Sequence, residues 1–278
     1  MDPLLTLSVA TALQSARAAG QHTLCCSLNL AKSQTTVSLS EEGWRCSDRL
    51  FPYPQGLKAR SIYFWDGGQF VQLARFTRSL IKLVPTDWGP PTFEIDGIKM
   101  LPTAQVSPMV DAERKVQLVE PRGRRILDTC GGLGYFAACA LAAQAAQVLS
   151  FEINPDVLWL RSLNPWSPDH RGASPHASLT LENASISERI GTLPSASFEA
   201  ILHDPPRFGI AGELYSQDFY QQLARVIQPR GRLFHYTGSP NKLTSGRDVP
   251  REVAARLKLA GFRVDLVGDG VLARKPAR

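Results

Sequence analysis

The pattern of apolar and polar positions changes along the chain and divides it into two parts. An apolar stretch near the start is typical of a buried helix, which Gly20 ends. From residue 23 onward, short runs of β-branched and aromatic residues alternate with turn signals such as Asp66-Gly67-Gly68. We therefore predict a small β-rich domain over residues 1–110. Its predicted strands span residues 23–30, 35–39, 61–65, 70–74, 81–84 and 92–95.

After residue 110, strand-like runs alternate with helical runs, which is the pattern of a parallel sheet built from βαβ units. The predicted strands span residues 125–128, 147–152, 178–181, 198–203 and 232–236, and the predicted helices 135–147, 156–163, 216–227 and 251–260. Two last runs, 262–267 and 271–275, flank Gly268-Asp269-Gly270, a spacing typical of a hairpin. Residues 111–278 are thus predicted to form a doubly wound α/β domain. Its seven-stranded sheet should be mostly parallel and finish in an antiparallel hairpin.

Composition and charge narrow the class of protein only slightly. The chain contains no apolar run of membrane-spanning length. Its five cysteines are an odd number without a Cys-x-x-Cys pair, which argues against a disulfide framework or a zinc site. We expect a cytoplasmic protein with reduced thiols, no bound metal and no membrane association. The net charge of +6 is compatible with an anionic partner such as RNA, but a solvated basic surface explains it equally well.

The clearest candidate chemistry lies where the first strand of the α/β domain ends. Residues 126–137 read Ile-Leu-Asp-Thr-Cys-Gly-Gly-Leu-Gly-Tyr-Phe-Ala, a buried strand followed by a glycine-rich turn and a helix. Glycines let a ligand approach the backbone, and a helix N-terminus favours a negatively charged group. Glu152 ends the next strand, where a carboxylate can accept hydrogen bonds from two ribose hydroxyls. The segment is therefore predicted to bind an adenosine cofactor.

The glycine spacing alone does not separate two adenosine cofactors. Gly132-x-Gly134-x-x-Ala137 with a following acid is also the dinucleotide fingerprint, so NAD and a ligand-free turn stay open. Asp128 favours S-adenosylmethionine, because a carboxylate there suits an ammonium group, whereas in a dinucleotide site it would lie near the pyrophosphate. The predicted cofactor-binding residues are Asp128, Cys130, Gly132, Gly134, Tyr135, Phe136, Glu152, Ile153, Asn183, Ala184 and Asp204.

Two motifs carry a resemblance to a known family. The loop has the form Asp-x-Cys-x-Gly-x-Gly over residues 128–134, and Asp204-Pro205-Pro206 follows the fourth strand. On these motifs the chain resembles class I S-adenosylmethionine-dependent methyltransferases. Longer stretches at 127–137, 164–167, 203–216 and 232–238 resemble a group of predicted, mainly archaeal methyltransferases with an Asp-Pro-Pro-Arg-Phe motif. The resemblance implies that the Asp-Pro-Pro turn orients a target amino group toward the methyl group.

The chain departs from this resemblance at one position. In amino-group methyltransferases an aromatic residue follows the second proline and stacks on the base, but here Arg207 comes first and Phe208 second. This order is similar to that of rRNA cytosine-C5 methyltransferases, which need a cysteine at the end of the fifth strand. The chain has His235-Tyr236-Thr237-Gly238 there, and no cysteine follows Cys139. Covalent C5 chemistry is therefore not expected.

Three functions stay open on the sequence. The leading hypothesis is an N-methyltransferase acting on RNA or another nucleic acid, with Asp204, Pro205, Pro206 and His235 as catalytic residues. His235 and His203 both end strands at the crevice, where each could be a general base or a hydrogen-bonded structural residue. The second is a small-molecule methyl or polyamine-type aminopropyl transferase, which needs a cluster of acids where the sequence places only Asp204. The third is a non-catalytic binding protein. Neither the acceptor nor the oligomeric state follows from the sequence.

Overall fold

The computed structural model describes residues 2–168, 178–238 and 248–277. The fold is mixed α/β with a large central sheet, as predicted. Contacts divide the chain into two compact units, Met1–Pro108 with Ser162–Trp166, and Met109–Arg161 with Ser167–Arg278. Within the described ranges, no helix combines the length and the apolar character needed to cross a membrane.

The first unit contains helix α1 (Leu7–Ala18) and short antiparallel strands. The strands are β1 (Leu4–Leu5), β2 (Thr23–Cys26), β3 (Thr35–Leu39), β4 (Trp44–Cys46), β5 (Arg49–Phe51), β6 (Tyr63–Trp65), β7 (Phe70–Gln72), β8 (Ala74–Phe76), β9 (Leu80–Val84), β10 (Thr92–Ile95) and β11 (Ile98–Lys99). They form three sheets with the orders β1-β6-β7, β2-β3-β4-β5 and β11-β10-β9-β8. Strands β4 and β5 were not predicted, because three residues are too few to show an alternating pattern.

Aromatic side chains form the core of the first unit. Trp44 is fully buried, and its ring stacks on that of Phe51 with centroids 4.7 Å apart. Its indole nitrogen donates a hydrogen bond of 3.1 Å to the carbonyl of Pro52, which satisfies the polar end of the buried ring. Trp166, from the short segment that clusters with this unit, donates in the same way to the carbonyl of Leu30 at 2.9 Å. Aromatic rings with bonded polar ends therefore stabilise a unit whose strands are all short.

The second unit is built on a seven-stranded sheet. Its strands are β12 (Arg125–Asp128), β13 (Gln147–Phe151), β14 (Ser178–Glu182), β15 (Phe198–His203), β16 (Ile227–Tyr236), β17 (Arg263–Val267) and β18 (Gly270–Arg274). Its helices are α2 (Pro108–Leu118), α3 (Tyr135–Ala142), α4 (Pro155–Leu163), α5 (Ile186–Arg189), α6 (Gln217–Val226) and α7 (Val249–Leu259). Short 3-10 helices at Ile190–Thr192 and Gly212–Tyr215 complete the described elements.

The strand order β14-β13-β12-β15-β16-β18-β17 determines where a ligand can bind. The first five strands are parallel, while β18 lies antiparallel between β16 and β17. The chain moves outward from β12 through β13 to β14 and then returns to the other side of β12 as β15. In such open sheets, ligands bind in the crevice at the carboxyl ends of the strands where the order reverses. That place lies between β12 and β15.

The central strands of the sheet are buried on both faces. Leu127, Ile201 and Leu233 belong to one core cluster, which also contains Tyr220 of α6 and Leu257 of α7. The side chains of opposite parity on the same strands are buried as well, namely Ile126, Ala200 and Phe234. Burial on both faces is expected of parallel strands in an α/β domain, and it explains why they were recognisable as continuous apolar runs.

Several boundaries differ from the prediction, including those of helix α3 and of strand β16, which begins at Ile227 rather than at residue 232. Helix α3 ends at Ala142 rather than at residue 147, and Gln144 adopts φ +63°, a left-handed conformation typical of helix ends. The chain must leave the helix early because Gln147 pairs with Arg125 in the sheet. Helix α2 was not predicted, although its buried residues Ala112 and Val116, with Val119 directly after its end, recur at helical spacing.

Helix α6 begins with a side-chain cap that can be tested. The Ser216 hydroxyl accepts a hydrogen bond of 3.1 Å from the backbone nitrogen of Phe219. Ser216→Ala should lower the free energy of unfolding by about 1 kcal/mol, because a backbone donor at the helix end loses its partner. Denaturant titration measures this change. Ser216→Asp keeps an acceptor at the cap and should retain most of the stability, so equal losses in the two variants would contradict the capping role.

Candidate functional site

The glycine-rich loop joins β12 to α3 at the predicted crevice. Its backbone is tied down on both sides, since Gly131 donates a hydrogen bond of 2.7 Å to the carbonyl of Phe151 and Gly134 one of 2.7 Å to that of Gly131. Gly132 and Gly134 have φ values of +50° and +83°, which other residues rarely adopt. The conformation of the loop therefore favours glycine at these two positions.

Glu152 holds the loop from the end of β13. Its Oε2 accepts a hydrogen bond of 2.9 Å from the backbone nitrogen of Gly132, and its Oε1 accepts one of 2.8 Å from that of Asn154. A carboxylate has about four acceptor sites, so these two bonds leave capacity for hydroxyl donors. Burial raises the pKa of Glu152, and the two backbone bonds oppose that effect. The geometry is compatible with the predicted ribose contact.

Asp128 is a fully buried carboxylate with one unused oxygen. Its Oδ2 accepts a hydrogen bond of 2.8 Å from the Ser150 hydroxyl, while Oδ1 has no hydrogen-bond partner among the described residues. Burial raises the pKa of Asp128 to about 6. Leaving a buried acceptor unpaired is costly, so Oδ1 suits a ligand donor such as an ammonium group.

The other predicted cofactor residues occupy different environments. The side-chain amide of Asn183 donates to the carbonyls of Glu152 and Ile153 at 2.8 and 3.0 Å, which leaves its own oxygen as an acceptor for an amino group. The Ile153 side chain is 66% exposed, whereas Ala184 is half-buried and packs against the core.

Three further predicted residues lie within or just after the glycine loop. The side chains of Tyr135 and Phe136 are buried in the first turn of α3. Cys130 packs against the core of the unit, and burial raises the pKa of its thiol well above the ordinary range. Since the thiolate is the reactive form, this environment suits a packing residue rather than a nucleophile.

The Asp-Pro-Pro turn lies beside Asp128. The pairing of β12 with β15 continues past the strand, because the backbone nitrogen of Thr129 donates to the carbonyl of Leu202 at 3.0 Å. Asp204 then follows β15, Pro205 is buried, and the carbonyl of the exposed Pro206 accepts a hydrogen bond of 3.0 Å from the hydroxyl of Tyr215. The turn is thus held from both ends at the edge of the crevice.

Acidic residues from other elements act electrostatically on Asp204, which the sequence did not indicate. Burial raises the pKa of Asp204 to about 7; Lys115 opposes this rise, and Asp111, Asp128 and Asp269 add to it. The Lys115 ammonium lies 2.6 Å from Asp111 Oδ2 and 3.5 Å from Asp269 Oδ2. We call Asp111, Asp204 and Asp269 the acidic cluster. It corrects the expectation that Asp204 alone would stand on the acceptor side.

The same ammonium group also contacts an aromatic ring. Lys115 Nζ lies 3.8 Å from the centre of the Tyr236 ring, within the range of a cation–π interaction. Carboxylates and an aromatic face together form an environment that stabilises a cationic nitrogen. Sequence analysis missed this arrangement because Asp111 and Lys115 lie on the unpredicted helix α2, and Asp269 had been interpreted only as a turn residue.

The structure argues against the predicted catalytic role of His235. Its ring is fully buried, with Nε2 2.9 Å from the Tyr220 hydroxyl and Nδ1 2.8 Å from the carbonyl of Tyr236. Burial lowers the pKa of His235 to about 4. His203 is similar, since its ring contacts the Thr129 hydroxyl at 2.7 Å and its pKa is also lowered by burial. Both histidines have the environment of neutral structural residues.

Comparison with known proteins identifies a relative over most of the chain. No protein-family model matches. The chain is 41% identical over 220 residues to the uncharacterized protein MJ1233 of Methanocaldococcus jannaschii. The aligned region covers 77% of this chain and 74% of that protein. The chain belongs to the MJ1233 family. It is also 31% identical over 127 residues to a polyamine aminopropyltransferase of Mycobacterium tuberculosis, across 42% of this chain and 24% of that enzyme.

Solved structures show the same fold. A spermidine synthase in complex with the transition-state analogue AdoDATO superposes with a TM-score of 0.56 at 18% identity, covering 76% of this chain and 77% of that one. A spermidine synthase from Thermotoga maritima superposes with a TM-score of 0.54 at 17% identity, covering 76% of this chain and 75% of that one. These similarities confirm the expected mixed α/β, Rossmann-like fold.

Proposed function

We propose that this protein is a transferase that alkylates the nitrogen of a cationic amine with S-adenosylmethionine. The observation that carries the proposal is the position of Asp204, which lies at the crevice beside Asp128 and within the acidic cluster. Asp128 thus lies on the cofactor side of the crevice, and the acidic cluster lies on the acceptor side.

The residues on the cofactor side fit S-adenosylmethionine. Asp128 Oδ1 can accept a hydrogen bond from the ammonium of the methionine moiety, Glu152 can accept from the ribose, and the Asn183 oxygen can accept from the adenine amino group. The bound cofactor would supply an electrophilic carbon on a positively charged sulfur. The chain itself has to position the acceptor nitrogen in line with that carbon, and positioning alone can account for much of the rate.

Asp204 is placed to manage the proton of the acceptor. An aliphatic amine arrives protonated and must lose one proton before its lone pair can attack carbon. With a pKa raised to about 7, the Asp204 carboxylate can take this proton near neutral pH. The nitrogen then forms its bond to carbon, the carbon–sulfur bond breaks, and its electrons stay on sulfur. The product amine carries the remaining positive charge.

The surroundings of Lys115 favour a cationic nitrogen. Its ammonium already lies between Asp111 and Asp269 and against the ring of Tyr236, so these groups stabilise a charged nitrogen. The same carboxylates would repel the phosphates of a nucleic acid. The acidic cluster therefore favours a small polycationic amine over an RNA base.

RNA remains the second candidate acceptor, because the whole chain carries a net charge of +6 and a β-rich unit precedes the α/β unit. Methyl-labelled S-adenosylmethionine can be offered with two sets of acceptors, diamines and polyamines in one, and RNA from cells lacking the gene in the other. We expect label in the amines. Label in RNA alone would favour the second candidate, and label in neither set would contradict both.

The acidic cluster also predicts a pH dependence. Transfer at saturating cofactor should rise with pH through about 7, because the ionised form of Asp204 is the one that accepts a proton. Asp269→Asn should shift this rise to lower pH, since the charge of Asp269 raises the pKa of Asp204.

A matched variant controls for the loss of one negative charge. Asp265→Asn removes an exposed carboxylate of the same hairpin, which pairs with Arg274 and is not among the groups acting on Asp204. Its pH profile should match the wild type. Superimposable profiles for the Asp269 and Asp265 variants would exclude the proposed coupling.

A further inference from the structure

A buried arginine packs against the glycine loop. Arg161 of α4 is 3% exposed. A Cβ atom built on Gly134 would lie 2.5 Å from the Arg161 Cζ, and one built on Gly131 would lie 3.1 Å from its Nη1. The guanidinium group therefore packs against the loop backbone, at positions where only glycine leaves room for it.

Among the described residues, the guanidinium group has no hydrogen-bond partner. Nε, Nη1 and Nη2 of Arg161 are all buried and unpaired among the described residues, and so is Oδ1 of Asp128. A buried charge without bonded partners is costly, and natural proteins rarely keep one without a reason. The charge of Arg161 does act on its surroundings, since it opposes the rise in the pKa values of Asp128 and Glu152. This electrostatic attraction does not satisfy the N–H groups of Arg161, because none of them has a hydrogen-bond acceptor among the described residues.

The two unpaired groups complement one class of ligand. A Cβ atom built on Gly131 would lie 3.1 Å from Arg161 Nη1 and 3.2 Å from Asp128 Oδ2, the carboxylate oxygen bonded to Ser150, so opposite charges flank one end of the loop. An α-amino carboxylate offers an ammonium for the aspartate and a planar carboxylate for the guanidinium fork, which binds carboxylates in a bidentate manner. A ligand with an amine but no carboxylate would pair only the aspartate.

We propose that Arg161 binds the carboxylate of the methionine moiety and so makes the protein select S-adenosylmethionine over its decarboxylated form. This inference rests on the proposed function and makes it more specific. An aminopropyl group can be transferred only from the decarboxylated cofactor. Selection by Arg161 therefore assigns the chain to methyl transfer, or to transfer of a carboxylated propyl group, although it shares its fold with spermidine synthases.

The test is a calorimetric titration of the full chain with each of the two cofactors. The wild type should bind S-adenosylmethionine at least about tenfold more tightly than the decarboxylated form, which is the smallest effect expected of a hydrogen bond to a charged group. Arg161→Met should weaken S-adenosylmethionine binding by about 10- to 100-fold and leave the decarboxylated form within a few-fold. Arg161→Lys should retain part of the preference, because it keeps the charge but loses the fork.

Control variants distinguish selection of the carboxylated cofactor by Arg161 from a purely structural role of this residue. Arg263→Met removes an exposed arginine from the edge strand β17 and should change neither affinity. Equal wild-type affinities would overturn the inference but not the proposed function. Equal weakening of both cofactors in a folded Arg161→Met would show that Arg161 only supports the loop. If Arg161→Met fails to fold, the wild-type ratio and Arg161→Lys decide. A folded wild type that binds neither cofactor would overturn the proposed function itself.

Discussion

Gly134→Ala is expected to remove most of the affinity for S-adenosylmethionine. An alanine there would have to adopt φ +83°, and its Cβ would lie 2.5 Å from the Arg161 Cζ. Because Arg161 is buried, it cannot move away without disturbing the glycine loop. We expect a loss of about 2 kcal/mol in the free energy of unfolding from backbone strain and overpacking. Binding requires the loop to return to its original conformation. A similar free-energy cost for that change lowers the affinity for S-adenosylmethionine about 30-fold.

Gly191→Ala is the matched control for this change. No atom lies within 4 Å of the Cβ position at Gly191, so the new methyl group meets open space. This variant should bind cofactor like the wild type in calorimetry and unfold at the same denaturant concentration. Full affinity in Gly134→Ala would contradict the role of the loop, whereas equal losses in both variants would point to a general loss of folding.

Asp204→Asn is expected to abolish most transfer while the cofactor still binds. The asparagine keeps the shape of the side chain but cannot accept the proton of an ammonium group. The rate at saturating cofactor should fall by about 10²-fold or more, the usual contribution of a positioned acid or base. Affinity for S-adenosylmethionine should change by less than about tenfold, because Asp128 and Glu152 remain in place.

Asp218→Asn is a suitable control for the Asp204 variant, since it removes an exposed carboxylate from the first turn of α6. Single-turnover assays separate binding from transfer in both variants. Transfer by Asp204→Asn at the rate of the Asp218 variant would exclude Asp204 from the chemistry. Loss of binding together with transfer would make Asp204 a cofactor ligand instead, a role that the sequence had also suggested.

The sequence predicts best those parts of the fold that depend on local patterns. Strands β12 and β15 have the predicted bounds, because each is a short apolar run between turn residues and is buried on both faces. Helix α3 was predicted too long, since alanines favour a helix up to the next strand. Only the pairing of Gln147 with Arg125 requires the helix to end earlier. Sheet pairing is a tertiary effect that local propensity does not contain.

The candidate site shows the same division. Asp128, Glu152 and Asp204 could be located in advance, because each follows a predicted strand and parallel strands end at one edge. The remaining acidic residues lie on helix α2, which precedes the sheet, and on the final hairpin. Only the folded chain brings them together. The sequence does contain a signal that singles out Arg161. Arg161 lies four residues after Val157, about one helical turn, and directly after the buried Leu160. This position places a charge on the apolar face of α4.

The most direct test of the account is equilibrium dialysis of the full chain against methyl-labelled S-adenosylmethionine. Every functional conclusion depends on the glycine loop, Asp128 and Glu152 forming a site for this cofactor. We expect saturable binding of one molecule per chain, with a dissociation constant in the range of about 1 μM to 1 mM that is usual for enzyme ligands. A folded chain that retains no label across this range would contradict it.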